Sequence, residues 1–559
     1  MYGEIPWRKE GIVIHWDETT WAELDVAYCW NLWQPLTPMG KRAKRRARPF
    51  RPGEEREWEQ VLREQDEINL WLAAHPRCQA LVSHCLKKMP DIEGQLDKLG
   101  ADEVLGLTDW FHMKQFLWQF GQLHHLMREH RCTVVSLMPE EDVPLLEQCL
   151  ARLNPGTNRT AAFWIDDAYD DDLRRLRQQW RRMEIKERER VEQCKREIEE
   201  AYGIRRNRLG TWTVPRHTPL EETLRQDRRV VCEAETAYDV TFRLPEVADQ
   251  EMARLQEQVE AREQAVCVQL TEEFRRVYPR LRYWMQQVTH FDLQWSRYHA
   301  GQKWAGVRPE WDGDRFLLEG AIHPGIAQDV AAEGRSVTPI DLEVGRGVTV
   351  ITGPNMGGKT VALKTVGLIA VLAHYGLFVP ATACRLPLMH WIASTLGDGQ
   401  STKQGLSRFG AEVVRLTEWL NQPGEGLLLL DEIGRGTNPR EGAALARAIT
   451  SRLSEGNDWA VHVTHYHEVN QLPGIRRYRV AGLSWTDLER EGLGSEGAWR
   501  ERLHRHMDYR LIPVQREEAL DADALRLALL LGLPEEIVAD AERRLGSGED
   551  EGKTAAESG

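Results

Sequence analysis

The feature that most constrains the fold of this 559-residue chain is the glycine-rich octapeptide GPNMGGKT at residues 353–360. The apolar run VTVIT precedes it, and the apolar segment VALKTVGLIAVL follows it. In a GxxxxGK[ST] loop between a strand and a helix, the glycines let backbone N–H groups wrap phosphate oxygens at the helix N-terminus. The pattern predicts an ATP site formed by Gly353, Pro354, Asn355, Met356, Gly357, Gly358, Lys359 and Thr360.

A second motif, LLLLDE, places two adjacent carboxylates, Asp431 and Glu432, at the end of an apolar run. Lys359 is predicted to reach the β- and γ-phosphates, and the hydroxyl of Thr360 to ligate Mg²⁺. Asp431 completes the predicted Mg²⁺ shell, and Glu432 is the predicted catalytic residue that polarises the attacking water. Together the two motifs predict a Mg²⁺-dependent ATPase.

A third candidate is His465, which follows the apolar run WAVHVT. If that run is a strand of the same sheet, His465 lies at its C-terminal edge and is predicted to be a catalytic sensor of the γ-phosphate. Short apolar strands alternate with helices from residue 320 to 545, which is the sequence form of a parallel α/β sheet.

The preceding region, residues 21–319, has the i, i+3, i+4 apolar spacing of helices. Two long runs of mixed charge, Asp172–Tyr202 and Val247–Arg276, predict exposed helices, and the β-branched sequences between them predict short strands with a loop at about 203–246. We interpret this arrangement as a pair of lever helices with a small clamp-like insertion. An ordinary helical bundle is the alternative.

Composition limits the partners. The formal net charge of −14 opposes nonspecific DNA binding, although KRAKRRARPFR at 41–51 is strongly basic. The nine scattered cysteines predict neither disulfides nor a zinc site. We expect a cytoplasmic protein without a membrane partner, because residues 1–20 form no signal-like segment and no long apolar span occurs. The acidic tail, residues 546–559, is predicted to be disordered.

Four linked motifs identify a family. The segments ITGPNMGGKT, LGDGQSTKQGLSRFGAEV, LLLLDEIGRGTNPREGAALARAI and VTHYHE are similar, in content and order, to the ATPase domain of the MutS family. The resemblance implies a multidomain protein with a mainly α-helical core and lever region followed by an ABC-type P-loop NTPase domain. It also implies a homodimer in which Ser407 acts in trans as the signature residue. Gly434, Gly436 and Thr437 would lie at the dimer seam.

The resemblance extends over roughly residues 21–545, and the chain begins almost at the core domain. On this basis the module with which mismatch-repair MutS reads mismatches is expected to be missing. One hypothesis is a MutS-like ATPase that acts on DNA in mismatch repair or recombination, including branched or structured DNA. The other is a remodelling ATPase with a protein client, such as the reactivating factor of a cobalamin-dependent aminomutase.

Overall fold

The structure is a computed structural model, which describes residues 16–156, 160–245, 250–354, 358–396, 408–484, 506–514, 523–530 and 533–554. The chain divides into two compact units: the first contains Met1–Lys87, Met127–Ser136 and Thr289–Gly559, and the second contains Lys88–Leu126 and Leu137–Val288. The predicted boundary at residue 320 does not separate these units, because the N-terminal helices belong to the same unit as the phosphate-loop motif.

The helices within the described ranges are α1 (Glu18–Glu23), α2 (Val26–Leu32), α3 (Pro38–Arg45), α4 (Glu55–Ala74), α5 (Cys78–Lys88), α6 (Glu93–Gly100), α7 (Leu107–Glu129), α8 (Val143–Arg152), α9 (Asp171–Tyr202), α10 (Pro219–Gln226), α11 (Gln250–Lys303), α12 (Pro324–Ala332), α13 (Lys359–His374), α14 (Arg408–Leu420), α15 (Pro439–Ser454), α16 (His467–Asn470), α17 (Asp523–Leu530) and α18 (Glu535–Thr554). A 3₁₀ turn spans Glu140–Asp142.

The strands are β1 (Trp212–Pro215), β2 (Val231–Glu235), β3 (Asp239–Arg243), β4 (Glu310–Trp311), β5 (Phe316–Ala321), β6 (Ile340–Val344), β7 (Gly347–Thr352), β8 (Ala383–Leu386), β9 (Trp391–Ser394), β10 (Gly426–Asp431), β11 (Trp459–Val463), β12 (Arg476–Leu483) and β13 (Met507–Pro513).

The main sheet of the first unit has the order β9-β10-β11-β7-β12-β13. All of its neighbouring strands are parallel except β12 and β13, so the predicted parallel α/β sheet is confirmed. The strands are apolar on both faces because helices cover both. In β10, Leu427 and Leu429 pack into one core, and Leu428 and Leu430 pack into the other.

A smaller sheet has the order β4-β8-β5-β6. Strand β5 pairs antiparallel with both β6 and β8, so its residues belong to the β part of the chain. Residues 21–319 are predicted to be mainly α-helical, and this prediction does not separate β4 and β5 from the helices of this region. Their alternating pattern is too short to stand out beside the long helices, and pairing with β8, much later in the chain, stabilises them.

Helix α13, which follows the glycine-rich segment 353–358, is buried along most of its length. Every residue from Thr365 to His374 is buried. The N-terminal segment supplies part of the enclosure: Trp58 Nε1 donates to the carbonyl of Ala373 at 2.7 Å, and the Phe50 backbone N–H donates to the carbonyl of His374 at 2.7 Å. These bonds satisfy carbonyls that the end of a helix leaves without partners.

The second unit contains the predicted long helices as α9 and most of α11. Between them, β1 and β2 both pair antiparallel with β3 and form a small three-stranded sheet. The predicted loop within it instead contains α10. Thr218 caps that helix through the Glu221 N–H, and Pro219 occupies its first turn, where a missing N–H has no cost.

The C-terminal tail is also different from the prediction. Helix α18 continues to Thr554, through most of the segment predicted to be disordered from residue 546. Helix propagation adds residues at little cost once a first turn exists, and Glu535 and Glu536 in that first turn favour the helix dipole. In the described part of the chain, no helix is long and apolar enough to cross a bilayer.

Asp292 on α11 is fully buried and fixes the entrance to α3. Its carboxylate accepts from the Leu36 N–H at 2.9 Å and from the N–H and hydroxyl of Thr37 at 2.8 and 2.7 Å. Thr37 in turn caps α3 through the Gly40 N–H. Burial raises the pKa of Asp292, and the bonds from Leu36 and Thr37 oppose this shift because they replace the hydration that the carboxylate loses.

We predict that Asp292→Ala destabilises the first unit by roughly 3 kcal/mol, because it leaves buried donors without an acceptor. Asp292→Asn keeps one acceptor oxygen and should lose less. Thermal unfolding followed by circular dichroism measures both, with Asp329→Ala, at an exposed position, as the control. Equal melting temperatures for Asp292→Ala and the control would contradict the assignment.

His462 lies near the C-terminal end of β11 and is fully buried. Its Nδ1 is 2.8 Å from the Thr450 hydroxyl, and its buried Nε2 has no hydrogen-bond partner. Burial lowers the pKa of His462 from 6.5 to about 4. The unfolded chain therefore binds a proton at this residue between those two values while the folded chain does not.

The stability contributed by neutral His462 is complete above pH 6.5 and is lost as the pH falls towards about 4. His462→Asn removes this titrating group. We therefore predict that its melting temperature falls less than that of the wild type when the pH is lowered from 6.5 to about 4. The exposed His84→Asn serves as the control and should keep the wild-type dependence. An unchanged pH slope in His462→Asn would be evidence against a neutral buried imidazole.

Candidate active site

The predicted site residues come from three neighbouring parallel strands. Gly353 follows β7, Asp431 ends β10, and His465 comes shortly after β11. Because β10 pairs with β11, and β11 with β7, their carboxyl ends meet at one edge of the main sheet. Ligands of open α/β sheets bind at this edge.

The described part of the phosphate loop is tightly packed. Gly353 has a φ of +143°, and a Cβ there would lie 2.9 Å from Cβ of Val480 on β12. Gly358 is the N-cap of α13, so Lys359 and Thr360 begin the helix. Asn355, Met356 and Gly357 lie outside the described residues. A helix N-terminus at this edge of the sheet favours an anion through the helix dipole and the first N–H groups of the helix.

Lys359 is buried at the first position of α13. Its Nζ donates to the carbonyls of Gly353 at 2.8 Å and Pro354 at 3.3 Å, and lies 4.0 Å from Oε1 of Glu432. Burial lowers the pKa of Lys359, and the two neighbouring carboxylates oppose that shift. The ammonium group is thus held by the carbonyls of Gly353 and Pro354, which are weaker acceptors than phosphate oxygens would be.

Thr360 and Asp431 are in direct contact across the two motifs. The Thr360 hydroxyl donates to Oδ2 of Asp431 at 2.9 Å. Burial, and then the charge of Glu432, raise the pKa of Asp431, so a cation here would relieve both effects. The two groups present only oxygen ligands, which suits Mg²⁺ bound also by water and phosphate. Among the described residues, no three His, Cys, Asp or Glu side chains form a metal site.

Glu432 is held in an unusual backbone conformation. Its φ is +50°, a left-handed value uncommon for a residue with a side chain, and its N–H donates to the carbonyl of Val463 at 2.9 Å. Nδ1 of His465 lies 3.7 Å from Oε1 of Glu432. The interaction with His465 is the largest of the causes that hold the pKa of Glu432 below its ordinary value, and the charge of Lys359 also lowers it. Glu432 is therefore ionised and able to accept a proton.

The structure adds three residues that the sequence analysis did not select. Arg435 Nη1 contacts Glu432 Oε2 at 3.0 Å, and the Tyr466 hydroxyl donates to the carbonyl of Gly434 at 3.4 Å. The hydroxyl of Thr395 accepts from the Asp431 N–H at 3.3 Å. Arg435 could have been found from its i, i+3 spacing to Glu432, but no local pattern identifies Thr395.

The segment Gly434–Thr437 follows the carboxylates as a tight turn. Gly434 has a φ of +82°, and a Cβ there would lie 2.8 Å from Cα of Gly442 on α15. A Cβ on Gly436 would lie 3.2 Å from Cβ of Phe409 on α14. The turn therefore packs closely against both neighbouring helices. Ser407, the predicted signature residue, lies outside the described residues.

Comparison with known proteins agrees with this arrangement. Residues 349–547 match the family model described as MutS domain V. This segment includes most of β7, the phosphate loop, both carboxylates and His465.

Several curated proteins are similar to the chain over different lengths. An endonuclease MutS2 from Thermomicrobium roseum is 39% identical over 244 residues, covering 42% of this chain and 27% of that protein. A DNA mismatch repair protein MutS from Thermus aquaticus is 29% identical over 415 residues, covering 72% of this chain and 47% of that protein. The corresponding MutS from Paracoccus denitrificans is 28% identical over 465 residues, covering 76% and 51%.

The matched regions span about half or less of the length of these curated relatives. The likeness to MutS extends over most of this chain, and the family model covers the segment that carries the candidate site. Residues 349–547 therefore correspond to domain V of the MutS family, and the chain is similar to MutS proteins over most of its length.

Proposed function

We propose that this protein hydrolyses ATP to ADP and phosphate in a Mg²⁺-dependent reaction at the edge of the main sheet. The observation that carries the proposal is the convergence of Lys359, the Thr360–Asp431 pair and Glu432 at the N-terminus of one buried helix. An ammonium, a hydroxyl–carboxylate pair and an ionised carboxylate are the groups that phosphoryl transfer to water needs.

Each group has a separate part in the proposed reaction. The loop N–H groups and Lys359 bind the phosphates, and Thr360 with Asp431 would hold Mg²⁺. When bound, Mg²⁺ would neutralise part of the negative charge on the β- and γ-phosphates. Glu432 orients the attacking water and accepts its proton, while His465, beside Glu432, is available to contact the γ-phosphate.

We further propose that residues 320–545 form an ABC-type domain that pairs with a second copy of the chain. In that dimer, Ser407 of one subunit would complete the site of the other, and Gly434, Gly436 and Thr437 would lie at the seam. Support comes from the match of residues 349–547 to MutS domain V and from the packing of the Gly434–Thr437 turn against α14, the helix that begins directly after Ser407.

DNA is the client that we propose, because the relatives are named as a DNA mismatch repair protein and an endonuclease. Two cations of the basic run near α3 are already held by other groups of the chain. Lys44 Nζ donates to the carbonyls of Trp30 and Trp33, and Arg48 pairs with Glu54. Exposed Lys41, Arg45 and Arg46 remain as candidate phosphate contacts.

We predict that Lys359→Ala and Glu432→Gln separate binding from turnover. Lys359→Ala should abolish ATP binding, because it removes the charge that faces the phosphates. Glu432→Gln should bind ATP as the wild type does but lower kcat at least about 100-fold, since the amide cannot accept a proton. Nucleotide anisotropy and phosphate release measure the two properties.

Glu455→Gln, an exposed carboxylate at the end of α15, is the matched control and should keep full activity. Retention of wild-type kcat in Glu432→Gln would exclude Glu432 as the base.

A second prediction concerns the client. Anisotropy with labelled matched, mismatched and branched DNA should show binding that weakens as salt rises, because phosphate contacts release counterions. ATP should change the affinity if the site and the DNA surface are coupled. A variant with Lys41, Arg45 and Arg46 changed to Gln should bind more weakly and show a shallower salt dependence.

Absence of binding at low salt would contradict the DNA proposal and favour a protein client. Binding that is insensitive to the triple substitution would instead place the phosphate contacts elsewhere on the chain.

A further inference from the structure

Helix α1 lies against the end of β9, a strand of the main sheet. Thr20 and Glu23 are one helical turn apart on α1 and face this strand end. The Thr20 hydroxyl accepts from the Ser394 N–H at 3.3 Å. Oε2 of Glu23 accepts from the Ser394 hydroxyl and from the Leu396 N–H, the latter at 3.1 Å. One carboxylate thus holds the residues on both sides of Thr395.

The other oxygen of Glu23 binds α14. Arg415 Nη1 contacts Glu23 Oε1 at 2.8 Å, while its Nη2 lies 3.1 Å from the Thr20 hydroxyl and 3.2 Å from Asp17 Oδ1. The side chains of Glu23 and Arg415 are only 8% and 19% exposed. Removing one partner of an ion pair this shielded from water is strongly destabilising, because the other charge stays buried without a partner.

Thr395 connects this network to the candidate active site. Its N–H donates to the carbonyl of Leu429 at 2.9 Å, and its hydroxyl accepts from the Asp431 N–H at 3.3 Å. Asp431 is the carboxylate whose Oδ2 accepts from Thr360. Glu23 is therefore connected to the backbone of Asp431 by its hydrogen bonds to Ser394 and Leu396, by the chain between those two residues, and by the hydrogen bond of Thr395.

We propose that Glu23 is a positioning residue for the metal-ligating carboxylate Asp431, so that α1 belongs functionally to the nucleotide site. The inference rests on the proposed function, since it assigns a role within that site. Glu23 touches neither nucleotide nor metal in this account. Glu23 fixes Ser394 and Leu396, and these two residues fix Thr395 between them. The hydrogen bond from Asp431 to Thr395 then sets the backbone position from which the Asp431 side chain would bind Mg²⁺.

The test compares Glu23→Ala and Glu23→Gln with Glu18→Ala, an exposed acidic residue of the same helix. The first measurement is the Mg²⁺ concentration that half-saturates binding of a fluorescent ATP analogue, followed by anisotropy. Glu23→Ala should raise that concentration roughly tenfold, as loss of a group that supports a metal ligand does. Affinity for the analogue in EDTA should not change.

Glu23→Gln keeps an acceptor oxygen for the Leu396 N–H and should shift the Mg²⁺ requirement less, and Glu18→Ala should not shift it. A purely structural role would lower the bound fraction at every Mg²⁺ concentration without moving the midpoint. An unshifted midpoint in Glu23→Ala would overturn the proposal while leaving the proposed ATPase intact.

A second readout needs no nucleotide. Amide hydrogen exchange in a peptide that covers residues 426–433 should accelerate in Glu23→Ala and stay at the wild-type rate in Glu18→Ala. Unchanged exchange in Glu23→Ala would overturn the positioning role. Failure of the wild type to bind the ATP analogue, together with accelerated exchange in Glu23→Ala, would contradict the proposed function alone.

Discussion

The burial of helix α13 is the constraint on which the rest of the first unit depends. Its residues from Thr365 to His374 leave no face for water, so the helix must be enclosed on every side. Its N-terminus carries Lys359 and Thr360, and its carboxyl end is bonded by Phe50 and Trp58. Because the helix is enclosed, its axis is fixed relative to the sheet. The position of the axis then determines where the ammonium group of Lys359 and the hydroxyl of Thr360 lie at the ends of the strands.

This enclosure explains why residue 320 does not divide the protein. Strand β10 covers α13 through Leu427 and Leu429, and the N-terminal segment covers it with a cluster of aromatic residues. In that cluster the Tyr375 ring lies 4.8 Å from the Trp30 ring and 5.7 Å from the Trp16 ring. Segments more than 300 residues apart in sequence thus form one core, and Glu23 of the same segment contacts the sheet near Asp431.

What the sequence predicts well is local. The strands of the main sheet, the long helices α9 and α11, and the chain order of the candidate residues follow from periodicity and short motifs. The left-handed backbone of Glu432, the bond between Thr395 and Asp431, and the Glu23–Arg415 pair depend on contacts distant in sequence. No pattern in a single chain encodes such pairings. Helix α10 and the extent of α18 were missed because short or acidic segments carry weak periodicity.

The most direct test of the central claim is phosphate release by the purified full chain with ATP, measured with Mg²⁺ and again with excess EDTA. The geometry of Lys359, Thr360, Asp431 and Glu432 predicts steady release over many turnovers that requires Mg²⁺ and stops in EDTA. Release no faster than in buffer, or release that EDTA leaves unchanged, would contradict the account.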